Sequence, residues 1–184
     1  MSRGAVWGKA LGTSCPELVE GPASPDDILR EMADADVVVL LCHGEVDGPR
    51  QARLMLLDSS GTLVPLEMEQ VAEDPRRVAG ATVILLSCET GRVGDWLHQA
   101  AGLSGTLLAC GARNVVAPLW PVRMDPAIAV GEAVLAALAA REDVSVALRR
   151  LSPPEGGATL GRVDPRQRAQ ERAWSVKAFV QWTG

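Results

Sequence analysis

Two short apolar segments constrain the fold of this chain more than any other feature. Residues 37–42 and 81–86 are runs of mostly aliphatic side chains, rich in β-branched residues and without regular polar alternation. A strand with one face in water alternates apolar and polar residues, whereas a continuously apolar strand is covered on both faces. The two runs therefore predict interior strands of a parallel sheet with helices on both sides.

The rest of the chain predicts helices between strands. Ser24 suits a helix N-cap and Pro25 the first helical position. Residues 52–57 and 62–64 flank a turn that contains Gly61, which predicts a hairpin. Strands are further predicted at 17–20, 114–120 and 177–182, and helices at 65–73, 96–110, 126–140 and 144–151. Strands that alternate with helices indicate an α/β fold, whose active site lies beyond the carboxyl ends of the strands.

Composition narrows the class of protein. A chain of 184 residues with 47% hydrophobic and 22% charged residues is long enough for one ordinary globular domain. The net charge of −5 argues against nucleic acid or an anionic membrane as the main partner. No apolar run reaches the about 18 residues that a membrane span needs. The four cysteines form no CxxC pair, so we expect reduced thiols and a cytoplasmic location.

His43 and Cys88 stand out because each follows one of the two apolar runs and each is followed by a glycine-containing turn. If the two strands are adjacent and parallel, their ends are roughly 5 Å apart, so the two side chains can meet. An imidazole can take the proton of a cysteine thiol and stabilise the thiolate. Backbone N–H groups at Gly44 and Cys88 could then hold an oxyanion. A cysteine at a strand end is also commonly a small core residue, and that alternative stays open.

The chain resembles a CHAT domain, a branch of the caspase-like cysteine peptidases related to separase. The similarity rests on residues 40–44 (LLCHG), 83–91 (VILLSCETG), 111–122 (GARNVVAPLWPV) and 174–180 (WSVKAFV), with their order and spacing. The resemblance implies a caspase–haemoglobinase-like α/β fold with a mostly parallel sheet. It also implies a cysteine endopeptidase with His43 as base and Cys88 as nucleophile, acting on a protein or peptide substrate without a cofactor.

The expected layout is a single domain over residues 1–184. It comprises an N-terminal segment at 1–16, a core with the catalytic dyad at 17–151, a loop at 152–173 and a closing strand at 174–184. Glu89, Trp120 and Asp125 are candidate substrate-pocket residues. CHAT proteases often serve bacterial defence or signalling, and the resemblance allows such a regulated role here.

The sequence also departs from the CHAT pattern. Where the family commonly has an acidic residue, this chain has Met124, with Asp125 one position further on. We therefore expect no strong preference for a basic P1 residue, because a buried cation needs a partner. Residues 1–16 are too few and too polar for the family's first strand and helix. We therefore expect the sheet of this chain to lack the family's first strand, and a companion chain or an upstream segment to complete it.

Other functions and sites fit the sequence less well. An inactive CHAT module that binds protein is the main alternative to the peptidase. A metal site built from Cys42, His43, Cys88 and His98 lacks the paired short spacings of structural zinc sites, so no metal is expected. The segment around Gly4 and Lys9 is one residue short of a P-loop and has Ala10 where Ser or Thr is required.

Overall fold

The computed structural model describes residues 24–33, 35–46, 52–87, 103–119, 122–151 and 179–183. Its first helix, α1 (Pro25–Met32), begins where the sequence predicts. The Ser24 Oγ accepts a hydrogen bond from the Asp27 backbone N–H, and the Asp27 carboxylate accepts one from the Ser24 backbone N–H. This reciprocal pair satisfies donors that a helix start otherwise leaves unpaired. Leu29 and Met32 are buried and attach the helix to the core.

The predicted parallel sheet is confirmed. It contains β1 (Val37–Leu40), β5 (Thr82–Leu85), β6 (Asn114–Pro118) and β7 (Phe179–Thr183), in the order β1-β5-β6-β7. β1 and β6 both pair in parallel with β5. All four residues of β5 are buried, as expected of a strand that is covered on both faces. β1 is two residues shorter than predicted. It lies at one end of the described sheet, and Val37, Val39 and Leu40 are only half-buried, so full coverage on both faces is confirmed for β5 but not for β1.

A second, antiparallel sheet carries the predicted hairpin. It contains β2 (His43–Val46), β3 (Ala52–Leu57) and β4 (Leu63–Glu67), in the order β2-β3-β4. The turn between β3 and β4 is held by the Asp58 carboxylate, which accepts hydrogen bonds from the backbone N–H groups of Ser60 and Thr62. These bonds replace ladder partners that the turn residues lack.

The predicted helix at 65–73 is wrong in its first part. Residues 63–67 continue the hairpin as β4, and the helix α2 is confined to Met68–Ala72. Tertiary packing decides this, because Leu66 is fully buried when it pairs with Leu54 of β3. Pro65 is tolerated because β4 lies at one end of the sheet among the described strands, where a missing N–H costs no ladder bond.

Short helices cover one face of the parallel sheet. After α2 come a 3₁₀ helix (Pro75–Arg77) and α3 (Leu103–Ala109), which contacts β6. Side chains of α1, α2, α3 and both sheets form one core cluster, which includes Leu29, Leu54, Leu66, Val71, Val83, Leu85, Leu107 and Val115. Ile84 and Val116 point to the other sheet face and are also buried. The fold is thus a mixed α/β structure with a helix-flanked parallel sheet, which is compatible with a caspase-like fold.

Two more helices follow β6. α4 (Met124–Ala139) and α5 (Val144–Leu151) match the predictions at 126–140 and 144–151 within two residues, and they pack against each other. They belong to one compact unit, whereas the sheets and α1–α3 belong, but for Phe179, to another. No helix within the described ranges is long and apolar enough to cross a membrane.

Several predictions fall outside the described residues. These are the strand at 17–20, the first part of the helix at 96–110, the loop at 152–173 and any strand within residues 1–16. The single-domain layout and the completion of the sheet by another segment stay predictions.

Candidate active site

The candidate site begins where the chain passes from the parallel sheet to the antiparallel sheet. β1 ends at Leu40, and β2 begins at His43, so only Leu41 and Cys42 connect the two strands. We call these two residues the connector. On the neighbouring strand, β5 ends at Leu85 and is followed by Leu86 and Ser87, both buried. This is the carboxyl end of the parallel sheet, where α/β folds place their active sites.

The register of β1 and β5 continues beyond both strands. Paired residues differ by 45 in number, from Val37 opposite Thr82 to Leu40 opposite Leu85. The Leu86 backbone N–H then donates to the Leu40 carbonyl over 2.8 Å. The Cys42 Sγ lies 3.3 Å from the Ser87 Oγ, again 45 positions apart. The two chain segments therefore stay side by side as far as the residues that directly precede His43 and Cys88.

His43 is the first residue of β2, where sequence analysis expected a strand end followed by a turn. It pairs with Met55 of β3, and its side chain is exposed. Gly44 follows and pairs with Leu54. The structure thus keeps the imidazole accessible to solvent at the carboxyl end of β1, while the β2 backbone is held by β3.

A charged pair that sequence analysis missed lies on the same face as His43. Glu45 is two residues after His43, so their side chains point to the same side of β2. The Arg53 Nη2 lies 2.9 Å from the Glu45 Oε2, and these two residues are register partners across β2 and β3. The opposite charges of Glu45 and Arg53, eight positions apart, could have predicted this ion pair, since a hairpin in this register sets the two residues opposite each other.

Burial affects both cysteines whose thiols the structure describes, Cys42 and Cys110. Burial raises the pKa of the Cys42 thiol, and the hydrogen bond with Ser87 opposes this only in part. Burial also raises the pKa of the Cys110 thiol, which follows α3 and is buried. Because the thiolate is the nucleophile, a raised pKa makes a cysteine a poor one near neutral pH. Both environments therefore make Cys42 and Cys110 poor candidates for a nucleophile.

Most of the other predicted site residues lie outside the described part of the chain. Cys88, Glu89 and Trp120 lie outside the described residues, as do Cys15 and His98. Asp125 lies in the first turn of α4, but its side chain is not among those described. Met124, at the position where CHAT domains commonly carry an acid, is 53% exposed. Within the described ranges no three His, Cys, Asp or Glu side chains are grouped so that they could hold a metal ion.

The helix-flanked parallel sheet, with a histidine just after the carboxyl end of one strand, is compatible with a caspase-like fold. A comparison with protein families agrees, because the CHAT domain model matches residues 9–152. The chain therefore belongs to the CHAT family, which is related to caspase-like proteases. A comparison with curated proteins found no match.

Proposed function

We propose that this chain is a cysteine endopeptidase in which Cys88 is the nucleophile and His43 the general base. The observation that carries the proposal is the constant offset of 45 between neighbouring positions of β1 and β5, which extends to Cys42 and Ser87. His43 and Cys88 also differ by 45 in number, so the same register continued by one position would set them opposite each other. Family membership adds the reaction class, since CHAT domains are related to caspase-like proteases.

The described cysteines support this assignment by their chemistry. Burial raises the pKa of both the Cys42 and the Cys110 thiol, so neither thiol provides a ready nucleophile. The exposed imidazole of His43 is accessible to a substrate and to a neighbouring thiol. Of the remaining two cysteines, Cys15 and Cys88, only Cys88 follows an interior strand of the sheet.

The proposed reaction is acyl transfer. His43 takes the proton of the Cys88 thiol, and the thiolate attacks the carbonyl carbon of the scissile peptide bond. Backbone N–H groups at Gly44 and Cys88 stabilise the oxyanion. The tetrahedral intermediate collapses as His43 gives its proton to the leaving amine, which leaves a thioester. Water, deprotonated by His43, then hydrolyses the thioester and restores the thiol.

The test compares Cys88→Ala and His43→Ala with the natural chain on a positional-scanning library of fluorogenic peptides. We expect both variants to lose about a thousandfold or more of the cleavage rate, because they remove the nucleophile and its base. Both should unfold at nearly the natural temperature. Cys110→Ala is the matched control and should keep its activity, since it removes a thiol that takes no part in the reaction.

The same library reads the P1 preference, for which we expect no sharp selection of Arg or Lys. Full cleavage by Cys88→Ala, together with loss of cleavage in Cys110→Ala, would refute the assignment of the nucleophile. A folded natural chain that cleaves nothing and does not react at Cys88 with a peptidyl acyloxymethyl ketone would instead favour an inactive module that binds protein.

A further inference from the structure

The connector departs from regular parallel pairing at one hydrogen bond. In a continued parallel ladder, the Cys42 backbone N–H would donate to the carbonyl of Leu86. In the structure this N–H donates to the side-chain Oγ of Ser87 over 3.4 Å. A side chain has thus taken the position of a backbone acceptor where the chain turns from β1 into β2.

The same Ser87 hydroxyl also contacts the side chain of Cys42. The Ser87 Oγ lies 3.3 Å from the Cys42 Sγ, and either atom can be the donor. A hydroxyl has one hydrogen and two lone pairs, so it can accept from the N–H and still bond to the thiol. Ser87 is only 1% exposed, and Cys42 packs against the main core cluster. The Ser87 hydroxyl is therefore shielded from water and depends on protein partners for its hydrogen bonds.

We propose that Ser87, through its two contacts with Cys42, is a positioning residue that sets the distance between His43 and Cys88. The inference rests on the proposed peptidase function. Ser87 directly precedes the proposed nucleophile, and Cys42 directly precedes the proposed base. The two contacts fasten these neighbours to each other at the place where the Cys42 N–H donates to a side chain in place of a backbone carbonyl.

The expected consequence follows from the geometry of proton transfer. The imidazole must lie within hydrogen-bond reach of the thiol to stabilise the thiolate. A displacement of about 1 Å can cost on the order of a hundredfold in rate. Loss of the Ser87 contacts should therefore lower kcat more than it changes KM, and should make the Cys88 thiolate form at higher pH.

Strand β5, which Ser87 follows, offers a matched control at its amino end. The Asn114 Nδ2 donates to the Thr82 Oγ1 over 3.2 Å, between β6 and β5. Thr82 is 4% exposed, so this is also a buried hydroxyl in a cross-strand hydrogen bond. It lies at the amino end of β5, away from the connector. Thr82→Val removes a comparable bond and should affect only stability.

The experiment uses the full chain and four variants. Ser87→Ala removes both contacts, Cys42→Ala removes only the side-chain contact, Cys42→Ser keeps a group that can bond to Ser87, and Thr82→Val is the control. For each we would measure kcat, KM and thermal melting, together with the rate at which iodoacetamide alkylates Cys88 between pH 5 and pH 10 as read by peptide mass spectrometry.

We expect Ser87→Ala to lower kcat by about ten- to a hundredfold. The midpoint of its alkylation profile should move upward by about one pH unit, because the thiolate loses its partner. Cys42→Ala should show a smaller change of the same kind, and Cys42→Ser should be closer to the natural chain than Cys42→Ala. Thr82→Val should melt earlier, with the natural kcat and alkylation profile.

Two results would overturn the inference while leaving the proposed function intact. One is a Ser87→Ala variant that, like Thr82→Val, melts earlier but keeps the natural kcat and profile. The other is a strong effect of Ser87→Ala with the natural kcat and alkylation profile in Cys42→Ala, since the contact between the Cys42 and Ser87 side chains would then play no part in the positioning. A natural chain that cleaves no peptide and alkylates at Cys88 like an ordinary thiol would refute the peptidase itself, and the inference with it.

Discussion

The two sheets of this chain bury their strands in different ways, although only the connector joins β1 to β2. In the parallel sheet, every residue of β5 is buried, so neighbouring positions on both faces lie away from water. In the antiparallel sheet, burial alternates along β3. Leu56 is 7% exposed, whereas Leu57, the next residue, is 50% exposed.

This difference follows from how the strands are connected. Parallel neighbours need crossover segments, which cover the faces of the sheet, whereas a hairpin can leave one face in water. The parallel sheet is thus fully buried at its interior strand β5, and the antiparallel sheet supplies an accessible surface. His43 is the first residue of the antiparallel sheet, so its backbone pairs with β3 while its side chain is exposed.

The largest expected effect is on stability. It is tested by polar substitutions at two adjacent positions of β5 and at two adjacent positions of β3. Val83→Asn and Ile84→Asn should each lower the free energy of unfolding by about 3 kcal/mol or more, because both place a polar amide in a buried site. In β3, Leu56→Asn should have a similarly large effect. Leu57→Asn should stay within about 0.5 kcal/mol of the natural chain. Urea denaturation provides the measurement.

That contrast would be broken if Val83→Asn and Ile84→Asn differed as much as the two β3 variants do. One face of the parallel sheet would then tolerate an amide, and β5 would be only half-covered in solution.

A smaller effect concerns the exposed face of the antiparallel sheet. The ion pair between Glu45 and Arg53 is partly exposed, with side-chain exposures of 48% and 35%. Such pairs contribute little to the free energy of unfolding, because water screens the charges and two long side chains must be ordered. A double-mutant cycle of Glu45→Ala and Arg53→Ala should give a coupling energy of about 0.2–1 kcal/mol. A coupling above about 2 kcal/mol would show that this face is shielded from water.

The smallest expected effect is a pH-dependent change in the stability of the turn between β3 and β4. The Ser60 hydroxyl and the backbone N–H of Thr62 donate to the Asp58 carboxylate and lower the pKa of its carboxyl group. A lowered pKa in the folded state means that the carboxylate stabilises the fold above its unfolded pKa of about 3.9. This contribution is lost as the pH falls through the lowered folded pKa.

We therefore expect amide hydrogen exchange at the β3–β4 turn to become faster, relative to β5, as the pH falls below about 4. Asp58→Asn keeps an acceptor but removes the titrating charge, so the turn of that variant should show no such acid-induced change. An identical acid response in Asp58→Asn would mean that the Asp58 carboxylate does not hold the turn.

Much of the frame could be predicted from local sequence. The apolar runs gave β1 and β5, Ser24 and Pro25 gave the start of α1, and the hairpin, α4 and α5 were found within a few residues. The CHAT family was recognised from the motifs around His43 and Cys88, and the family model agrees. The strands, the helices and the hairpin depend on periodicity and capping, which are properties of neighbouring residues.

Tertiary structure decided the features that join distant segments. Residues 65–67 extend a strand because Leu66 finds a buried site opposite Leu54, which outweighs the local helical pattern. Cys42 reaches Ser87, and Glu45 reaches Arg53, only because each sheet has one particular register. A register is selected by which side chains the whole core can bury, and a shift by one residue would turn every side chain to the other face. The sequence alone thus located β1, β5 and the positions of His43 and Cys88 along the chain, whereas packing across the sheets decided that residues 43–46 form β2 and which residues meet beside it.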